Sequence, residues 1–149
     1  MKKSKSAARR KDQLMEDGLE VRKQVLTAEY VERQLGDADE FTMPIQELAT
    51  KAAWGMVWTR PGLSHKTRSM LNIAFLTALG REDELRLHIG AALRNGVTKE
   101  EIQEILLQAA MYCGFPAALE GFRIARGVIE QSKGKKAAKK AAKSAQARR

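Results

Sequence analysis

An all-α fold, an antiparallel helical bundle with short loops, is what this sequence predicts, on three observations. Apolar residues recur at helical spacing along most of the chain. Capping residues, prolines and glycines interrupt that pattern at intervals suited to helices. The β-branched residues are scattered, with none of the sustained period-two alternation a strand requires. The 149 residues suffice for one ordinary domain and are too few for two sizeable ones.

From about Asp12 to Leu26, Leu14, Met15, Leu19, Val21, Val25 and Leu26 recur between charges and predict an amphipathic first helix. Thr27 is placed to cap a short second helix carrying Tyr30, Val31 and Leu35 and ended by Gly36, and Asp37 to Glu40 form a polar loop. Thr42 followed by Pro44 opens a third helix through Gln46, Glu47, Leu48 and Ala52 to about Trp54. Gly55 is its point of interruption and Thr59-Arg60-Pro61-Gly62 its end. Ser64 caps the next helix, in which Met70, Leu71, Ile73, Ala74, Phe75, Leu76, Ala78 and Leu79 are apolar nearly all round, as in a buried central helix; Gly80 closes it. Glu82 to Arg94 follows, ended by Asn95-Gly96. Thr98 and Glu101 then form a capping box opening a helix to Tyr112, and Gly114-Phe115-Pro116 divides that helix from a last one reaching about Glu130.

The net charge of +9 is unevenly placed. Residues 1–11 hold six basic groups and residues 133–149 hold eight, neither stretch with an acid, so the body between them is acidic. We therefore divide the chain into a basic disordered N-terminal arm (1–11), a helical domain (12–131) and a Lys/Ala-rich tail (132–149) that is disordered or conditionally helical. Any weak polyanion binding belongs to the arm and the tail. Cys113 is the sole cysteine, which excludes an internal disulfide, a CxxC redox pair and a cysteine-rich zinc site. No apolar run approaches a membrane span and no signal-peptide pattern follows the basic start, so a cytoplasmic location is expected.

His88 stands inside a predicted helix with Glu84 one turn earlier on the same face, where a carboxylate orients an imidazole and favours its charged form; a helix-surface ion pair is the bland alternative. Trp54 and Trp58 with Arg60 concentrate aromatics and a cation at a helix end, suited to a carboxylate, though core packing explains tryptophans equally well. Arg68 and Arg81 bracket the apolar helix and are further candidates to meet an anion. His65 reads as exposed, and Cys113 as a small core residue.

The stretch Gln46 to Leu63, with Ala53-Trp54-Gly55-Met56-Val57-Trp58-Thr59-Arg60-Pro61-Gly62 at its centre, resembles the γ-carboxymuconolactone decarboxylase family. So do Lys66-Thr67-Arg68-Ser69, Ala78-Leu79-Gly80-Arg81, Glu84 to His88, Asn95-Gly96-Val97-Thr98 and Tyr112 to Ala118. The resemblance spans roughly residues 16–130. It implies the helical fold of alkylhydroperoxidase D-like proteins, a ring-shaped homo-oligomer such as a hexamer, and decarboxylation of 4-carboxymuconolactone to 3-oxoadipate enol-lactone in protocatechuate breakdown (the β-ketoadipate pathway). Thr27 departs from the pattern, which has glycine there.

In the same superfamily are thiol peroxidases, whose His-x3-Ala-x3-Gly helix is matched by His88, Ala92 and Gly96. Arg81 and Glu84 occupy the positions of their two cysteines, and Ser69 that of an upstream glutamate, so peroxidase chemistry has no dithiol here. The implied substrate is a small dianionic lactone whose own conjugated carbonyl receives the electrons released with carbon dioxide, so no cofactor or metal is expected. For that chemistry we expect His88 to deliver the proton and Glu84 to orient it, Arg81 and Arg60 to bind the anion, and Trp54 and Trp58 to form a water-excluding wall. The competing readings are a same-fold enzyme with peroxidase-like or other lactone chemistry, and a non-catalytic oligomer whose basic tails bind polyanions.

Overall fold

The computed structural model describes residues 2–146, and every regular element among them is helical: α1 (Lys2–Leu26), α2 (Ala28–Gly36), α3 (Met43–Ala49), a π-helical segment (Thr50–Trp58), α4 (His65–Ala78), α5 (Glu82–Arg94), α6 (Lys99–Cys113) and α7 (Phe115–Gln146). The chain forms two compact units, Met1–Arg68 and Ser69–Arg149. In the described backbone α1 starts at Lys2 and α7 runs on to Gln146. Alanine, lysine and arginine have high helix propensity, and extending an existing helix avoids the cost of a new nucleus. The expectations for Met1 and residues 147–149 lie outside the described residues.

In the first unit α1 packs along the π-helical segment. The two approach so closely that a Cβ on Gly18 would lie 2.2 Å from the Thr50 carbonyl oxygen and one on Gly55 2.3 Å from that of Leu14. Gly55 therefore does not interrupt the helix, as the sequence suggested; it admits α1, and helical structure continues to Trp58. At the two ends of the widened turn hydroxyls hold the carbonyls four residues back, Thr50 Oγ1 to Gln46 at 2.8 Å and Thr59 Oγ1 to Gly55 at 2.6 Å. One turn after Gly18, the Arg22 guanidinium is 6% exposed and donates to Thr50 Oγ1 (2.9 Å) and Gln46 Oε1 (2.7 Å).

Thr27 caps α2 as expected, its hydroxyl accepting from the Tyr30 N–H at 3.3 Å, but with φ of 93°. That is the left-handed region, costly for a β-branched residue, and it explains why glycine suits this position. Thr27→Gly is expected to stabilise the protein by about 1 kcal/mol, since glycine loses only a few tenths of the cap while removing the strain. A rise in Tm of roughly 2–4 °C by calorimetry checks this.

In the second unit Ile73, Leu85, Ile89, Ala92, Val97, Ile102, Leu106 and Ile124 form the core, and α7 packs on both α5 and α6. The Thr98/Glu101 capping box forms as predicted. The expectation that α4 is buried all round is corrected: Ser69, Ile73 and Thr77 are buried on one face, while Leu71, Phe75 and Leu79 are 40%, 57% and 71% exposed. Among the described residues no helix is long and apolar enough to cross a membrane.

Candidate functional site

The apolar stripe of α5 positions His88. Leu85, Ile89 and Ala92 sink into the core of the second unit, which leaves His88 half-buried at the edge of that stripe. Across from it, Asn72 on α4 brings its Nδ2 amide to 3.3 Å from His88 Nδ1. An amide N–H can only donate, so with Nδ2 toward the ring the contact suits the neutral tautomer whose proton is on Nε2, the roles of the ring nitrogens following the tautomer.

At the start of α5, Gly80 turns the chain with φ of 64° and Arg81 takes the N-cap position. Arg81 Nη2 donates to Glu84 Oε1 at 2.8 Å, and both side chains are exposed to solvent. This hydrogen bond, with one from its own backbone N–H, holds the Glu84 carboxyl below its ordinary range, and in return Glu84 raises Arg81. Burial depresses the His88 pKa below its usual value, and the charge of Glu84 opposes this only in part. The sequence expectation that Glu84 orients His88 and keeps it charged near neutrality is therefore revised. Glu84 is hydrogen-bonded to Arg81, the ring's hydrogen-bond partner is Asn72, and in the empty protein desolvation favours the neutral imidazole.

The remaining predicted residues belong to the first unit. Trp54 and Trp58, each 7% exposed, lie with ring centroids 4.8 Å apart at an interplanar angle of 34°. His65, expected to be exposed, is half-buried with its ring 5.8 Å from that of Trp58. Arg60 is exposed, and its carbonyl accepts from Arg68 Nη2 at 3.1 Å, while Arg68 Nε is buried without an acceptor. Cys113, expected in the core, is exposed because it falls on the last residue of α6, where the helix gives way to Gly114.

Two polar residues were missed. Asn72 had a signal, a lone amide inside an otherwise apolar run, which is a poor helix former unless its side chain has a partner. Arg22 had none, since it stands among other charges in α1. Burial lowers its pKa, an effect that Tyr30 opposes. A groove of about 720 Å³ between α6 and α7 is lined by Ile102, Leu106, Phe122 and Ile129, with Lys99, Arg126 and Lys133 among its charged groups. None of the predicted site residues lines it, and it holds no histidine, so the candidate chemistry stays at His88. Among the described residues no group of three or more His, Cys, Asp or Glu side chains is placed to hold a metal ion.

Residues 44–127 match the model of the carboxymuconolactone decarboxylase family. The chain is 44% identical over 119 residues to a 4-carboxymuconolactone decarboxylase of Acinetobacter baylyi, an alignment covering 80% of this chain and 89% of that protein. It is 47% identical over 116 residues to a nitrosuccinic acid decarboxylase of Metarhizium robertsii, covering 78% and 81% respectively. With a helical fold throughout the described residues, a family match over more than half its length and two decarboxylases similar along most of it, this chain belongs to the carboxymuconolactone decarboxylase family.

Proposed function

We propose that this protein decarboxylates 4-carboxymuconolactone to 3-oxoadipate enol-lactone in the β-ketoadipate pathway of the cytoplasm. The observation that carries this reading is the similarity to the Acinetobacter enzyme across 89% of that enzyme's length. The substrate's departing carboxylate sits on a ring whose unsaturation is conjugated to the lactone carbonyl. When the carbon–carbon bond breaks, the electron pair passes to that carbonyl as an enolate, and carbon then takes up one proton. His88, with Nε2 not engaged by Asn72, supplies that proton from its charged form and recovers it from solvent. A dianionic substrate brought against the ring raises its pKa and so promotes the protonation that burial opposes in the empty protein.

Arg81 binds a substrate carboxylate in this reading, with Glu84 limiting its free charge; Arg60, Trp54 and Trp58 enter as substrate contacts through the family resemblance alone. Arg81→Ala is expected to raise KM with little change in kcat, because a carboxylate it binds is present in ground and transition states alike.

The similarity to the nitrosuccinic acid decarboxylase favours a second reading, in which a nitro group replaces the carbonyl as electron acceptor. Steady-state assays with both compounds test the choice: turnover of 4-carboxymuconolactone with the higher kcat/KM supports the first reading, and preference for nitrosuccinate replaces it with the second.

Self-association belongs to the same proposal. Leu71 and Phe75 on α4 and Leu79 just past its end form an exposed ridge, and apolar ridges of this kind are covered in soluble assemblies. Light scattering at micromolar concentration is expected to give a homo-oligomer, and Phe75→Glu to shift it towards monomer. Any polyanion affinity resides in the basic ends and falls steeply with salt.

A further inference from the structure

We propose that Asn72 is the positioning residue of His88: its carboxamide fixes which ring nitrogen meets substrate and, by turning over, serves both the neutral and the charged imidazole. The inference rests on the reading of His88 as proton donor.

Three features of the contact lead to it. First, Asn72 Nδ2 lies 3.3 Å from Nδ1, so the ring nitrogen that Asn72 does not engage is Nε2. Second, Glu84, the carboxylate one turn earlier that acts on the ring electrostatically, is hydrogen-bonded to Arg81, which leaves orientation to the amide. Third, the partner comes from a different helix: Asn72 stands on α4 beside Ile73, which is fully buried in the core that also holds Leu85 and Ile89 of α5. The distance between amide and ring is thus set by core packing and not by a flexible surface side chain.

The chemistry of a carboxamide suits a ring that changes charge. Toward a neutral imidazole the amide presents N–H to the bare Nδ1. Toward an imidazolium, whose two nitrogens both donate, the amide rotates about its last bond and presents its carbonyl oxygen to Nδ1–H. One half-turn therefore satisfies the ring in either state, with Nε2–H directed the same way in both. A carboxylate at this place would favour only the charged ring, and an aliphatic side chain would partner neither. After Nε2 gives its proton to the substrate carbon, the neutral ring keeps Nδ1–H on the amide carbonyl, and uptake of one solvent proton at Nε2 restores the imidazolium for the next turnover.

The test is long-range ¹H–¹⁵N correlation spectroscopy of the full chain labelled with ¹⁵N-histidine, with His65→Gln assigning the two rings. Wild-type His88 is expected as a single Nε2–H tautomer above its titration. In Asn72→Leu the two tautomers mix, and kcat falls about 10-fold or more with KM near its wild-type value, the scale expected when a proton donor is mis-aimed. In Asn72→Asp the His88 titration moves upward, above the ordinary histidine range. A wild-type ring carrying its neutral proton on Nδ1 overturns the proposal, and so does an unchanged tautomer and titration in both variants. The tautomer and titration readouts need no substrate. They are therefore separate from the catalytic assignment, which fails if His88→Gln retains full kcat.

Discussion

His88→Gln is expected to lower kcat by on the order of 10² or more while leaving KM within a few-fold, because glutamine keeps a donor near the same place but cannot give up a proton to carbon. The pH profiles carry the sharper signature. The competent form is the imidazolium, and burial depresses the His88 pKa in the empty protein, so kcat/KM should fall as pH rises through a value below the ordinary ~6.5. A bound dianion raises that pKa, so the alkaline limb of kcat should lie at higher pH than that of kcat/KM. Glu84→Gln should move both limbs downward, since the carboxylate opposes the effect of burial. The same shift has a consequence for stability. A group whose folded pKa is depressed contributes stability above its unfolded value and loses it as pH falls through the folded one. Acidification below ~6.5 should therefore cost wild type more than His88→Gln in parallel denaturant titrations. Wild-type kcat in folded His88→Gln protein removes the assignment.

Gly18→Ala is expected to destabilise the first unit by at least about 3 kcal/mol, a drop in Tm of roughly 6–12 °C. The added methyl would lie 2.2 Å from the Thr50 carbonyl oxygen and 2.8 Å from the Gly55 amide nitrogen. Both are backbone atoms, so no side chain can swing aside and α1 must lift off the π-helical segment. Separation of the two also costs Arg22 its contacts with Thr50 and Gln46, and an unpaired buried guanidinium adds to the loss. Gly127→Ala in α7 is the control, where nothing lies within 4 Å of the new methyl; there the higher helix propensity of alanine should raise stability by about 1 kcal/mol. Equal melting temperatures for the two variants would mean that the Gly18 contact does not constrain the packing.

The helices, their caps and the family were legible in the sequence because each rests on local rules. Thr98 and Glu101 meet within one helical turn, Gly80, Gly96 and Gly114 adopt the positive φ that other residues avoid, and the stripe of Leu85, Ile89 and Ala92 needs only a 3.6-residue period. His88 and Glu84 could be paired for the same reason. What escaped depends on groups far apart in the chain. The role of Gly55 follows from Leu14, 41 residues earlier. The protonation of His88 is decided by burial and by Asn72 on another helix, so spacing alone gave too much weight to Glu84. The apolar character of α4 was plain, but which of its faces is buried was not, because composition counts apolar residues and only packing decides that Ile73 lies inside and Phe75 outside.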